Sequence, residues 1–382
     1  MLRLLLLDHA PFFGGAEAFL LDLVGALNHD EFAPHIVTDP RSPVLDDFRA
    51  SGAPVLTTPL PQINRSPIFL WRLLYAGARL ARLARAARAD VMHSFTVRTH
   101  LIGAVASKMS GVPLLWRVCD DTLPRWAATL FGRAPRGIVA VSRYIAACYP
   151  NLRFDGFAPD GARAPSTISR ADARAQLGLR EDEFIVAHLG RLVRWKGQDV
   201  FIRAMARVAQ TIPNARGLIV GAAHAEDDKP GLLGGGETYA RQLRALADEL
   251  RAPVTFTGFV REPALVYAAA DIIAHTSIAP EPFGRTVIEA MMAGRAVVAA
   301  NAGALPEIVT AGTGLLTPPG DADALADALI RLLSDAALRA HIGAAARARA
   351  QAEYSLDQMA RRMEHFYRST AQSKIENQKS KI

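Results

Sequence analysis

Only two cysteines, Cys119 and Cys148, occur in 382 residues. That scarcity excludes a disulfide framework and fits a reducing compartment. Long apolar runs are missing too, and none approaches the roughly 18–20 residues needed to cross a bilayer. The opening Met1-Leu-Arg-Leu-Leu-Leu-Leu run is cut short by Asp8, so it reads as a first buried strand and not as a leader. The expectation is a protein kept in the cytoplasm. Gly234-Gly-Gly lacks the Gly-Lys-Ser/Thr ending of a P-loop and is read as a mobile loop. Stacking aromatics and nucleic-acid motifs are absent, which counts against a basic nucleic-acid-binding protein.

Half the residues are hydrophobic and 21% are charged, the profile of a soluble globular chain long enough for two cores. The net charge of +7 is uneven: Arg65 to Arg153 holds fourteen Lys/Arg against three Asp/Glu. Such a basic region suits phosphates or an anionic membrane surface. Within it, Phe69–Ala89 reads as an amphipathic helix, with Arg72, Arg79, Arg82 and Arg85 on one side and leucines opposite.

Short apolar runs alternate with helical spacing along the chain. Strands are expected at Arg3–Leu7, His35–Val37, Val91–His93, Leu114–Val118 and Gly137–Val141. A second set follows at Phe184–Leu189, Gly217–Val220, Val254–Thr257, Asp271–Ala274 and Ala296–Ala299. The alternation implies βαβ units, hence an α/β fold with parallel sheets covered on both faces. Pro, Gly and a lost period over Asp155–Arg170 mark a linker. The expected division is residues 1–160, residues 161–355, a last helix over 356–368 and a disordered tail over 369–382.

Three motifs carry chemistry. In Pro280-Glu-Pro-Phe-Gly-Arg-Thr-Val-Ile-Glu, a strand leads through a Pro/Gly loop into a helix starting near Arg285. Its first N–H groups and dipole make an anion site suited to a diphosphate. Glu281 lies before that terminus and Glu289 inside the helix, each with two oxygens able to hold a vicinal diol. Gly190-Arg-Leu-Val-Arg-Trp-Lys-Gly follows a strand directly, placing Arg191 and Lys196 at a sheet's carboxyl edge, where cations suit a leaving diphosphate. Phe12-Phe-Gly-Gly-Ala-Glu follows the first strand, and Gly14 and Gly15 allow close backbone approach to a phosphate or sugar. Asp321-Ala-Asp follows Pro-Pro-Gly and opens a helix, so Asp321 reads as an N-cap and not a metal ligand.

Together these motifs resemble the retaining GT-B glycosyltransferases of family four. The likeness continues through Asn301-Ala-Gly-Ala-Leu-Pro-Glu-Ile-Val and Gly312-Thr-Gly-Leu-Leu. It implies two Rossmann-like parallel-sheet domains facing an interdomain cleft, and transfer of a sugar from a UDP- or GDP-linked donor. By the resemblance, Arg191 and Lys196 bind the diphosphate, Glu281 meets the transferred sugar and Glu289 holds the ribose. Backbone groups of Phe283, Gly284, Arg285 and Thr286 touch sugar and phosphate, Phe259 and Val260 lie near the base, and the last helix returns to the first domain. The implied acceptor is a cell-envelope glycan, a lipid-linked molecule or a small molecule, with peripheral contact between the basic region and the membrane. No cofactor and no metal are expected.

Many family members carry a His after a Val-Pro step and strand, where Gly111-Val-Pro-Leu-Leu-Trp-Arg-Val-Cys here has Cys119. Either Asp120 or Asp121 shifts into that role, or the sugar is held differently. His93, ending a strand, is a further candidate for the first domain's half of the site, against the plainer reading of a structural histidine. Two rival functions are an epimerase of the same fold and the nucleic-acid binder above.

Overall fold

The computed structural model of the chain describes residues 1–9, 13–61, 68–164, 166–224, 227–228 and 231–379, with side chains to residue 372. Phe12, Arg65 and the last three residues of the expected tail lie outside these. The chain divides into two compact units, Met1–Gly161 with Leu356–Ile382, and Ala162–Ser355.

The first unit holds seven strands: β1 (Leu2–Leu7), β2 (Phe32–Thr38), β3 (Val55–Thr57), β4 (Val91–Ser94), β5 (Leu114–Val118), β6 (Gly137–Ala140) and β7 (Gly156–Phe157). They pair in parallel in the order β3-β2-β1-β4-β5-β6-β7. Leu4 to Leu7 are at most 1% exposed, so side chains on both faces of β1 are covered. The second unit holds β8 (Phe184–Leu189), β9 (Ala215–Val220), β10 (Val254–Gly258), β11 (Ile272–His275), β12 (Ala296–Ala300) and β13 (Leu315–Thr317). These run parallel in the order β10-β9-β8-β11-β12-β13.

Strand order reverses between β1 and β4 in one sheet and between β8 and β11 in the other. Loops leaving two such strands diverge, which opens a crevice at their carboxyl ends. Gly14-Gly15 follows β1, the Gly190–Gly197 loop follows β8, and the segment with Glu281 follows β11. β3, β7 and β13 have no counterpart among the strands expected from the sequence. They are two- or three-residue strands, too short for an alternation to register, and β7 falls inside the expected linker.

The last helix, Leu356–Lys379, runs past Arg368, so residues 369–379 of the expected tail are helical. The cause is packing: Met359, Met363 and Tyr367 are fully buried and Thr370 is buried one turn further on. Met359, Met363 and Tyr367 join the first unit's core with Phe19, Leu20 and Leu23. The Asn28 amide donates to Glu364 at 2.9 Å.

The basic helix spans Phe69–Ala86, three residues shorter than the sequence pattern suggests. Its buried face is made of small residues, Ala76, Gly77, Ala81 and Ala84, with Leu80. Gly77 lies so close to Val105 that a Cβ would overlap it. The leucine face does not turn wholly inward: Leu70, Leu74, Trp71 and Tyr75 are exposed beside Arg72, Arg79 and Arg82. Among the described residues no helix is long and apolar enough to cross a membrane.

Candidate active site

At the carboxyl edge of the second sheet, a single 3-10 turn (Arg194–Lys196) carries Lys196 back toward β11. Gly197 ends it with φ of 68°, and any side chain there would overlap the Thr276 carbonyl. Thr276 Oγ1 donates to the carbonyls of Lys196 (3.0 Å) and Gly197 (2.8 Å), tying the loop after β8 to the loop after β11.

That tie brings Lys196 Nζ within 2.7 Å of Glu281 Oε2. Ser277 Oγ donates to the same oxygen at 3.0 Å, and His275 Nε2 lies 3.3 Å from it. Three donors therefore converge on Oε2, while Oε1 takes no hydrogen bond from any described residue. Burial pushes this carboxyl's pKa up, but the Lys196 ammonium and the His275 contact outweigh it and hold the acid well below the usual range. Backbone contacts fix the same residue. Ala304 N donates to the Glu281 carbonyl at 2.8 Å, and Gly303, with φ of 62°, packs so closely that a Cβ would overlap the Glu281 backbone. The Asn301-Ala-Gly motif thus acts as a clamp on Glu281.

Arg191 is half-exposed, with Nη1 at 3.0 and 3.1 Å from the two carboxylate oxygens of Asp227. Gln198 Nε2 donates to its carbonyl at 2.7 Å. The Gly234–Gly236 run is a second support for this loop and not a free-standing one. Arg194 N donates to the Gly234 carbonyl at 2.8 Å, and Val193 bridges to Gly235.

Helix Arg285–Met292 begins just after Gly284. Arg285 Nε donates to Glu289 Oε1 at 2.8 Å and Tyr267 Oη to Oε2 at 2.7 Å. Both Glu289 oxygens thus have a partner already, and each keeps one lone-pair direction for a ligand hydroxyl. Burial, and then Glu289 itself, raise the Tyr267 phenol well above its ordinary value. Phe283 is buried with its ring edge-on to Tyr354 at 6.0 Å, so its side chain packs the unit and only its backbone is left to meet a ligand. Thr286 is half-buried. Phe259 is 61% exposed just beyond β10, beside the half-buried Val260.

In the first unit, Gly14 N donates to Glu17 Oε2 at 2.7 Å as the helix Gly15–Ala26 starts. Glu17 is buried beside Asp8, and burial and then Asp8 push its carboxyl up to about 8. Thr38 Oγ1 donates to Asp8 Oδ2 at 3.2 Å. His93 is fully buried among Phe19, Phe95 and Tyr367, with Nδ1 2.8 Å from the Tyr367 hydroxyl. Burial, then Arg117, lower its pKa to about 3, so it is a neutral core residue. Cys119 Sγ accepts from Arg117 Nη1 at 3.2 Å, and burial pushes the thiol up to about 12. Arg117 stacks on Phe19 at 3.9 Å and bonds Asp160 at 2.5 Å. Asp120 caps a turn, accepting from Thr122 N at 3.0 Å, and Asp121 accepts from Tyr144. His93, Cys119 and Asp120 make no hydrogen bond to one another.

Sequence reasoning missed His275, Ser277, Thr276, Tyr267 and Asp227. Thr276-Ser277, ahead of Pro280-Glu-Pro, was the one legible hint, two hydroxyls on a strand's carboxyl end. Asp321 accepts from Ala324 N at 2.8 Å, as an N-cap does. Among the described residues no group of three or more His, Cys, Asp or Glu is placed to hold a metal.

Two parallel-sheet units, each with its motifs at a reversal of strand order, define the GT-B class. A family profile described as glycosyl transferases group 1 matches residues 169–349, and one described as a glycosyl transferase 4-like domain matches residues 14–190. The chain is 34% identical to a GDP-mannose-dependent monoacylated alpha-(1-6)-phosphatidylinositol monomannoside mannosyltransferase of Corynebacterium glutamicum, over 52% of this chain and 51% of that protein. With the GDP-mannose-dependent alpha-(1-6)-phosphatidylinositol monomannoside mannosyltransferase of Mycobacterium tuberculosis it shares 29% identity, over 96% of this chain and 98% of the other. The crystal structure of Anabaena HepE with UDP and glucose superposes with a TM-score of 0.82 at 26% identity, covering 97% of this chain and all of that one. The chain spans about half the length of the first curated relatives it matches. It belongs to the group 1 glycosyltransferases of GT-B architecture.

Proposed function

We propose that the protein transfers a sugar from a UDP- or GDP-linked donor, with retention, to a cell-envelope glycan, a lipid-linked molecule or a small-molecule acceptor. The observation that carries this reading is Glu281, with Oε2 held by Lys196, Ser277 and His275 and Oε1 open to a ligand hydroxyl. Lys196 then serves two partners, the carboxylate on the sugar side and the diphosphate. Arg191 exchanges Asp227 for phosphate oxygens, the helix terminus at Arg285 and Thr286 adds N–H donors, and Glu289 takes the ribose.

A carboxylate carrying three donors is a poor nucleophile, which supports attack on the same face without a covalent intermediate. The acceptor oxygen bonds to the anomeric carbon as the bond from that carbon to the phosphate oxygen breaks, and the leaving phosphate takes the acceptor's proton. Arg191 and Lys196 stabilise the charge that grows on the diphosphate. These cations and the helix terminus supply the neutralisation that a metal gives elsewhere.

The acceptor reading draws on the phosphatidylinositol mannoside specificity named for the relatives. The exposed Arg72, Arg79 and Arg82 with Trp71 and Tyr75 support peripheral contact with an anionic membrane, at the cytoplasmic face where nucleotide-sugars are made. The epimerase alternative draws no support from these relatives, and family membership displaces the nucleic-acid reading.

The test is release of UDP or GDP from nucleotide-sugars with membrane extract as acceptor, and the anomeric configuration of the product. No turnover with any donor would overturn the transfer reading, and an inverted product the retention.

A further inference from the structure

The second sheet has another charged edge, where strands begin. Asp271 immediately precedes β11, and three arginines grip the three residues Ala269, Ala270 and Asp271. Arg174 donates from Nη2 to Asp271 Oδ2 (2.9 Å) and from Nε to the Ala269 carbonyl (3.1 Å). Arg170 Nη2 donates to Asp271 Oδ1 at 2.7 Å, its side chain 45% exposed. Arg295, just before β12, donates from Nη1 to the Ala270 carbonyl at 3.2 Å. The exposed Arg347 lays its stem against Gly294, next to Arg295.

Arg170 and Arg174 thus hold the carboxylate of Asp271, Arg295 holds the carbonyl beside it, and Arg347 adds a fourth positive charge acting on Arg295. Asp271 is already occupied, because Ile185 N also donates to its Oδ2 at 2.8 Å. Arg174 is occupied too, with Nη1 donating to the carbonyls of Arg180 and Glu181. The nearby acid Glu183 is paired with Arg216. Arg170 and Arg295 have N–H groups to spare, Arg347 makes no hydrogen bond or ion pair with any described residue, and the buried Nε of Arg295 has no acceptor. A buried donor without an acceptor marks a missing ligand or solvent. The cluster is also strained electrostatically: burial, and the charges of Arg170, Arg174 and Arg347, lower the pKa of Arg295.

We propose that Arg170, Arg295 and Arg347 bind a phosphate group at this edge, a second anion site apart from the donor motifs. A guanidinium fork matches phosphate oxygens in pairs, and a doubly charged oxyanion offsets most of the three-charge excess. The partly buried Arg295 restricts the ligand to a compact anion, a free phosphate or the exposed phosphate of a small soluble molecule.

The test is thermal unfolding of the full chain with inorganic phosphate at a few millimolar, against chloride of equal ionic strength. Wild type and Lys196→Ala are both expected to gain about 2–4 °C from phosphate. Arg347→Gln removes no internal bond, folds normally and loses that gain, as does Arg170→Gln. If phosphate gives wild type no gain over chloride, or the gain survives in Arg347→Gln, the site does not exist. If the gain disappears in Lys196→Ala, phosphate is binding at the donor motifs instead and the proposal falls.

Discussion

Glu281 has one oxygen committed to its own chain and one facing out, and the two halves are separable by mutation. Ser277→Ala removes one donor from Oε2 and leaves the diphosphate contacts alone. We expect kcat to fall about 10-fold, the effect of one charge-assisted hydrogen bond, with Kd for UDP or GDP unchanged. His275→Gln keeps a donor near the position of Nε2 and retains more activity than His275→Leu, which has none. An equal loss in both variants would make His275 mere packing. Lys196→Ala acts on both sugar and diphosphate, and about a 10²–10³-fold loss in kcat is expected by analogy with the removal of one oxyanion donor. In the first unit, Cys119 is a thiol held neutral by burial, so Cys119→Ser should leave turnover within a few-fold, measured by nucleoside diphosphate release.

Elements explain which of these residues a reader of the sequence finds. Arg191, Lys196 and Glu281 are legible because each sits in a short Gly- or Pro-punctuated stretch between a strand and a helix, and Glu289 because it lies in the helix that such a stretch opens. His275 and Ser277 are not, because their role depends on β8 lying beside β11, a pairing of Ile272 with Val186 that no local pattern encodes. His93 looks like a site residue for the same reason in reverse. The sequence pattern ends a strand at it, whereas in the structure it lies inside β4, one residue before Ser94, with Tyr367 of the last helix packed against it. The clamp on Glu281 makes an element-scale prediction. Gly303→Ala places a Cβ against the Glu281 backbone at positive φ, costing of order 1–3 kcal/mol. Its melting temperature should drop and its kcat fall with it, whereas Gly312→Ala, at positive φ but with open space around it, should lose stability alone.

At the scale of the whole molecule, buried titratable groups set opposite limits on stability. His93, His188, His100 and His9 have pKa values lowered to about 3 or 4, each chiefly by burial. An unfolded chain protonates them near 6.5 while the folded one does not, so stability falls as pH drops from 6.5 toward 4. Glu17 works the other way. Its folded carboxyl stays protonated up to about 8 while the unfolded one ionises near 4.5, so its contribution is full below 4.5 and lost as pH rises through 8. Melting temperature against pH should therefore decline on both sides. Glu17→Gln should flatten the alkaline side only, and an unchanged alkaline limb would place the cause elsewhere.

The return of the last helix to the first unit also sets an order in time. Residues 1–161 leave the ribosome before residues 162–355, but Met359, Met363 and Tyr367, which join their core, are made only after both stretches. Residues 162–355 form an uninterrupted stretch, a unit made of one continuous segment. The unit encoded second is therefore the first able to finish folding, and the one begun first must wait with an open apolar face until the helix from Leu356 has been made. For a nascent chain, that interval is the period of greatest exposure to chaperones and to aggregation.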